Sequence, residues 1–142
     1  MKPRIGIIPG DPGGIGPELI AKLLADPDVH EKADILLIGD RHLFEMGQTQ
    51  AGTETEMVAC DANKGDWTDI SGLAIHERET IAADDVRLAE VTYANGHSAL
   101  SNLNCALEMA RDGIIDAITF GPLNKAALIE AGLGLSLIHI SE

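Results

Sequence analysis

Short β-branched runs alternate along the chain with longer stretches whose apolar residues recur three and four positions apart. Arg4-Ile5-Gly6-Ile7-Ile8 and Asp34-Ile35-Leu36-Leu37-Ile38-Gly39 read as buried strands, residues 57–60 and 73–75 as shorter ones, and residues 116–120 as the last. Between the first two, residues 17 to about 25 predict a helix that buries Leu19, Ile20, Leu23 and Leu24. Pro17 suits its first position, where the missing N–H is an orphan in any case, and Glu18 suits the positive end of its dipole. Asp40 reads as the cap of a short helix through Arg41, Leu43, Phe44 and Met46. Further on, Leu100, Leu103, Ala106, Leu107 and Ala110 form a helical stripe after Asn95-Gly96-His97-Ser98, and Gly113 stops it. Residues 123–131 read as another helix ended by Gly132. Residues 47–56 carry no apolar period and read as a loop, as do the turn-rich residues 61–72. The alternation predicts an α/β fold, a mostly parallel sheet with helices on both faces. No internal repeat or low-complexity linker interrupts it.

The turn between the first strand and helix, residues 8–18, reads IPGDPGGIGPE. Glycines at 10, 13, 14 and 16 let a ligand approach the backbone, and free N–H groups at a helix start favour a phosphate or carboxylate. Two familiar glycine loops are excluded. A Walker loop needs Lys and Ser or Thr where Pro17 and Glu18 follow Gly16. A dinucleotide fingerprint starting at Gly14 would place its third glycine at Leu19, and no convincing strand end carries the ribose-binding acid. A tight turn without a ligand stays open beside the anion-binding reading.

Composition narrows the partners. The 142 residues suit one domain with a proper core, and 45% hydrophobic against 3% aromatic residues makes that core one of Ile, Leu, Val and Ala. A net charge of −13 argues against nucleic acid or an anionic membrane as partner. The acids, including Glu77, Glu79, Asp84 and Asp85, read as a solvated surface, so an anionic substrate needs local donors. Cys60 and Cys105 lie far apart with no CxxC spacing, as expected of ordinary cytosolic thiols. No run reaches membrane-spanning length and no basic leader precedes the first strand, which points to the cytoplasm.

A second strand-turn-helix corner reads Phe120-Gly121-Pro122-Leu123-Asn124-Lys125-Ala126-Ala127-Leu128. Together with GDPGGIGPE and Asn95-Gly96-His97-Ser98-Ala99, in this order, it resembles the 4-hydroxythreonine-4-phosphate dehydrogenase family of vitamin B6 synthesis. Gly13 stands where that family more often has alanine. The resemblance implies a two-domain α/β subunit similar to isocitrate and isopropylmalate dehydrogenases, working as a homodimer. It also implies NAD- and divalent-metal-dependent (zinc, magnesium or cobalt) oxidation of a secondary alcohol in a small phosphorylated hydroxy acid, followed by decarboxylation. The metal would act as a Lewis acid on the alcohol oxygen. A related branch acts on threonate or erythronate 4-phosphate, and the NGHSA and GPLNKAAL wording leans that way.

The resemblance also implies a longer subunit, with metal-binding histidines, a substrate-contacting His-Thr pair and most of the NAD site beyond this sequence. Residues 1–134 are accordingly expected to be the N-terminal portion of such a dehydrogenase, inactive alone. Residues 135–142 depart from the family, resemble a translated sequencing adapter, and are expected to be a non-native tail.

Among individual residues, Lys125 is the foremost candidate for catalysis. It follows a strand-end turn and would bind phosphate or carboxylate as a point charge. Asn124 would orient substrate or cap a helix. Asp11, Gly14, Gly16 and His97 are candidate substrate-binding residues, with structural roles as the competing readings for Asp11 and His97, as for the helix-start Glu18. His30, His42 and His76 lack ligand-like spacing and His139 lies in the suspect tail, so no metal ligand is expected here. The rival function of another class is a non-catalytic α/β module that holds a small anion at the glycine loop.

Overall fold

The computed structural model describes residues 2–132. Five strands, β1 (Arg4–Ile8), β2 (Asp34–Gly39), β3 (Met57–Cys60), β4 (Leu73–Glu77) and β5 (Ala117–Phe120), form one sheet in the order β3-β4-β2-β1-β5. Every pairing is parallel. Register follows from the alternation of side chains. Ile7, Ile35, Leu37, Leu73 and Ile75 point to one face, where they meet Ile20 and Leu24 of α1 (Gly16–Leu24) and Phe44 of α3 (Arg41–Ala51). Ile8, Leu36, Ile38 and Ala74 point to the other, against Trp67, Ile115, and Ala106 and Met109 of α4 (Tyr93–Arg111). Both faces are therefore covered, which is why the central strand β2 is apolar from Ile35 to Gly39 rather than alternating.

The strands and the fold class match the expectation from the hydrophobic pattern; the helices differ in instructive ways. In α1 the buried positions are Gly16, Pro17, Ile20, Ala21 and Leu24, while Leu19 and Leu23 are 45% and 41% exposed on its outer flank. A short helix α2 (Pro27–Lys32), capped by Asp26 through the N–H of Asp28, was not evident in the pattern because it buries no residue. Residues 47–51 are not loop. They continue α3, because Gly47 rests directly on the backbone of Pro17, where a Cβ would come within 2.1 Å of the carbonyl oxygen. This contact fixes how α1 and α3 lie together on the sheet. Loop begins only at Gly52, whose φ of 72° ends the helix.

Asp40 occupies the cap position of α3 but its side chain does no capping. Its carboxylate, fully buried, accepts instead from the Thr80 N–H at 2.8 Å, the Thr80 hydroxyl at 2.8 Å and the Ile81 N–H at 3.0 Å. It thereby draws the segment after β4 down over the end of β2. Helix α4 starts two residues before Asn95, so the Asn-Gly-His-Ser stretch lies inside the helix rather than ahead of it. Its buried face consists of Asn95, Gly96, Ser98, Ala99, Asn102, Ala106 and Met109; Leu107 of the expected stripe is exposed. Helix α5 is Lys125–Glu130, shorter than expected, with Asn124 as its cap. Among the described residues β5 is an edge strand, and its last residue, Phe120, is 50% exposed. The suspect tail, residues 135–142, lies outside the described residues.

Gly47→Ala is expected to cost about 2 kcal/mol of stability, since a methyl group placed against rigid backbone forces α1 and α3 apart. The measurement is the shift of the urea unfolding midpoint; a midpoint equal to the parent's would contradict the close approach.

Candidate functional site at the switch point

Chain order places the site. From β1 the chain moves through α1 on one face to β2, whereas from β4 it moves through α4 on the opposite face to β5, on the other side of β1. The carboxyl ends of β1 and β5 are thus the point where successive connections leave in opposite directions, and such a point opens a crevice that binds ligands in doubly wound sheets. The two turns that emerge there are the glycine loop and the Gly-Pro-Leu-Asn-Lys corner.

Glycines bring these turns together. Gly121 and Gly16 pack against one another and against the carbonyl of Pro9, and a Cβ at Gly16 would come within 2.2 Å of that oxygen. The N–H of Asp11 donates to the carbonyl of Pro122 at 3.0 Å, and the N–H of Gly121 to that of Ile8 at 3.2 Å. Above this seam lies a cleft of about 570 Å³, lined by Asp11, Gly13, Gly14 and Ile15 on one side and 122–125 on another. A third wall is the segment 89–91, a strap between β4 and α4.

Of the residues singled out in the sequence, Asp11, Gly14, Asn124 and Lys125 meet in this cleft. Asp11 is only 4% exposed. Its Oδ1 accepts from the Gly13 N–H at 2.7 Å, while its Oδ2 is buried with no hydrogen-bond partner among the described residues. Burial pushes its pKa above the ordinary carboxylate value, and the Gly13 N–H, which favours the ionised form, opposes that only in part. Gly14 is exposed and its Cβ direction meets only Asp11, so space there belongs to the cleft. Asn124 commits its Oδ1 to the Ala127 N–H at 3.1 Å, as a helix cap, which leaves the amino end of the carboxamide for a ligand. Lys125 opens α5 at the cleft's rim and is exposed.

Two candidates lie elsewhere. Gly16 is buried beneath the cleft and serves the seam. His97 sits on the exposed side of α4, stacked on Tyr93 with ring centroids 5.8 Å apart, and borders a different groove with Arg78, Ser101 and Cys105. Among the described residues no three His, Cys, Asp or Glu side chains stand close enough to hold a metal ion, and no helix is long and apolar enough to cross a membrane. Sequence reasoning gave no role to the strap, although its residues close the cleft. The polar text from 82 to 92 carries no periodic signal that would have revealed it.

A parallel sheet with helices on both faces and a glycine-seamed crevice at its switch point defines a doubly wound α/β unit. Residues 31–136 match the family model described as pyridoxal phosphate biosynthetic protein PdxA, and the chain belongs to that family. It is 43% identical over 132 residues to a Pseudomonas aeruginosa protein bearing the name 4-hydroxythreonine-4-phosphate dehydrogenase 2, covering 92% of this chain and 39% of the relative. A Clostridium botulinum protein bearing the name D-threonate 4-phosphate dehydrogenase is 32% identical over 134 residues, 93% of this chain and 40% of the relative. The crystal structure of a 4-hydroxythreonine-4-phosphate dehydrogenase from Burkholderia phymatum superposes with a TM-score of 0.81 at 31% identity, over 93% of this chain and 40% of that one. The chain thus spans about two fifths of the length of the relatives it matches.

Asp11→Asn should stabilise the chain at pH 7. A carboxyl whose folded pKa lies above its unfolded value weakens the fold as pH rises between the two, and the deficit persists above them. Asparagine keeps an oxygen for the Gly13 N–H and does not ionise, so its advantage over the parent should be larger at pH 7 than at about pH 4 in thermal melts. A lower melting temperature than the parent's at pH 7 would refute this.

Proposed function

We propose that the chain forms the switch-point cleft of a cytoplasmic dehydrogenase acting on 4-hydroxythreonine 4-phosphate in pyridoxal phosphate synthesis. The observation that carries the reading is the meeting, in one crevice, of a buried carboxylate with an unpaired oxygen and a lysine at the rim. Lys125 binds the phosphate or carboxylate of the substrate as a point charge, in a protein whose overall charge of −13 would otherwise repel it. Asp11 Oδ2 accepts a hydrogen bond from a substrate donor, which repairs the cost of its burial. Gly14 gives the ligand access to the backbone, and the Asn124 amino group orients it.

In this reading NAD, when bound, would supply the hydride acceptor for oxidation of the alcohol carbon, with loss of carbon dioxide from the resulting β-keto acid. A divalent metal belongs to the same proposal. The described residues do not suit one, since they offer no three-ligand group, so no step here is routed through it. The two-domain subunit similar to isocitrate dehydrogenase, and the homodimer, are likewise proposed for the enzyme at the length of its relatives. A second substrate class is the four-carbon sugar-acid phosphates, threonate or erythronate 4-phosphate, of which the name of the Clostridium relative favours D-threonate 4-phosphate.

The test joins residues 1–132 to the C-terminal remainder of the Pseudomonas relative. NADH formation is then followed with each phosphorylated acid and a divalent metal. Turnover of one of the two acids is expected, with Lys125→Ala lowering kcat/KM roughly 100-fold, and none by the 142-residue chain alone. Turnover of neither acid by the joined protein would leave the anion-binding module as the better reading.

A further inference from the structure

The strap that closes the cleft is held in a conformation it would not choose. Ala89 has φ of 59°, the one non-glycine residue among those described with a left-handed backbone, a placement that costs about 1 kcal/mol. Three hydrogen bonds keep it there. The Ala89 N–H donates to the carbonyl of Gly13 at 2.8 Å, which joins the strap to the glycine loop. The Nδ2 of Asn95, a side chain with no exposure at all, donates to the carbonyls of Arg87 at 2.9 Å and Glu90 at 3.3 Å. Gly13 fits beneath this junction only because it lacks a side chain. A Cβ there would lie 2.4 Å from the Arg87 oxygen and 2.6 Å from Asn95 Nδ2.

The neighbour of Asn95 serves the other wall. A Cβ at Gly96 would fall 1.8 Å from the carbonyl oxygen of Ala127, so the first turn of α4 lies directly against the backbone of α5, the helix that begins with Lys125. We propose that Asn95 and Gly96 are positioning residues that together set the width of the cleft. Asn95 clamps the strap onto the glycine loop, and Gly96 sets how near α5 and its lysine approach. Neither touches the ligand; each acts through the wall it holds. This rests on the reading of the crevice as the substrate site, but the clamp itself is measurable without substrate.

Hydrogen exchange of the 142-residue chain provides that measurement. In Asn95→Ala the amides of residues 86–91 should exchange about tenfold faster or more, while those of β1, β2 and β4 keep their protection. Ala89→Val, a surface change that a β-branched residue makes unfavourable at this φ, should reproduce the pattern even if Asn95→Ala does not fold. Gly96→Ala should leave 86–91 protected and expose α5 instead. In the joined protein described above, all three variants should raise KM about tenfold while kcat stays within about threefold. Unchanged exchange at 86–91 in both strap variants would overturn the clamp, as would equal loosening of the whole sheet. A fall in kcat at constant KM would overturn the positioning role. If the unsubstituted joined protein is inactive, it is the functional reading that fails, and the exchange data still decide the clamp.

Discussion

At the ends of β1 and β5 two main chains touch with no side chain between them. Gly16, Gly121 and the Pro9 carbonyl form that seam, and a methyl group on either glycine would meet backbone at under 2.5 Å. Because the seam cannot open to admit side chains, the glycine loop and the Gly-Pro-Leu-Asn-Lys corner are held at one height above the sheet. The crevice over them is therefore a product of backbone geometry rather than of the side chains that line it. Glycine at these positions costs conformational entropy, and the return is a floor that does not shift.

Two buried aspartates show how differently the same residue can be satisfied. Asp40 is surrounded by three donors from Thr80 and Ile81, so its charge is fully used in fastening the segment after β4. Asp11 is buried nearly as well but spends only one oxygen, on Gly13. A buried polar atom left unpaired is costly, and in the proposed function a substrate donor pairs with this one. That Asp11 stands at the switch point, and Asp40 away from it, gives the difference its meaning.

Most of the sheet was legible in the sequence because parallel strands covered on both faces must be continuously apolar, and the runs 5–8 and 35–39 are just that. Helix faces were less so. The inner face of α4 is built from Asn95, Ser98, Ala99 and Asn102 as much as from Ala106 and Met109, which apolar periodicity does not see. Gly47 opens the stretch that reads as a loop although it is a packing contact, since only the position of Pro17 in space distinguishes the two. In the site, Asp11, Gly14, Asn124 and Lys125 could be named because they sit in the turns after strands. Asn95 could not, because its partners are backbone carbonyls of a segment without pattern.

The edge position of β5 bears on how the molecule behaves in company. Among the described residues, its outer row of N–H and C=O groups and the exposed Phe120 form an adhesive margin of the kind that templates strand addition between copies. Against this stands a charge of −13, which every copy shares and which repels at a range set by the solvent. That range is about 10 Å at 0.1 M salt and about 3 Å at 1 M. Colloidal stability of the chain is thus a contest between a sticky margin and a like-charged surround, and ionic strength is its control.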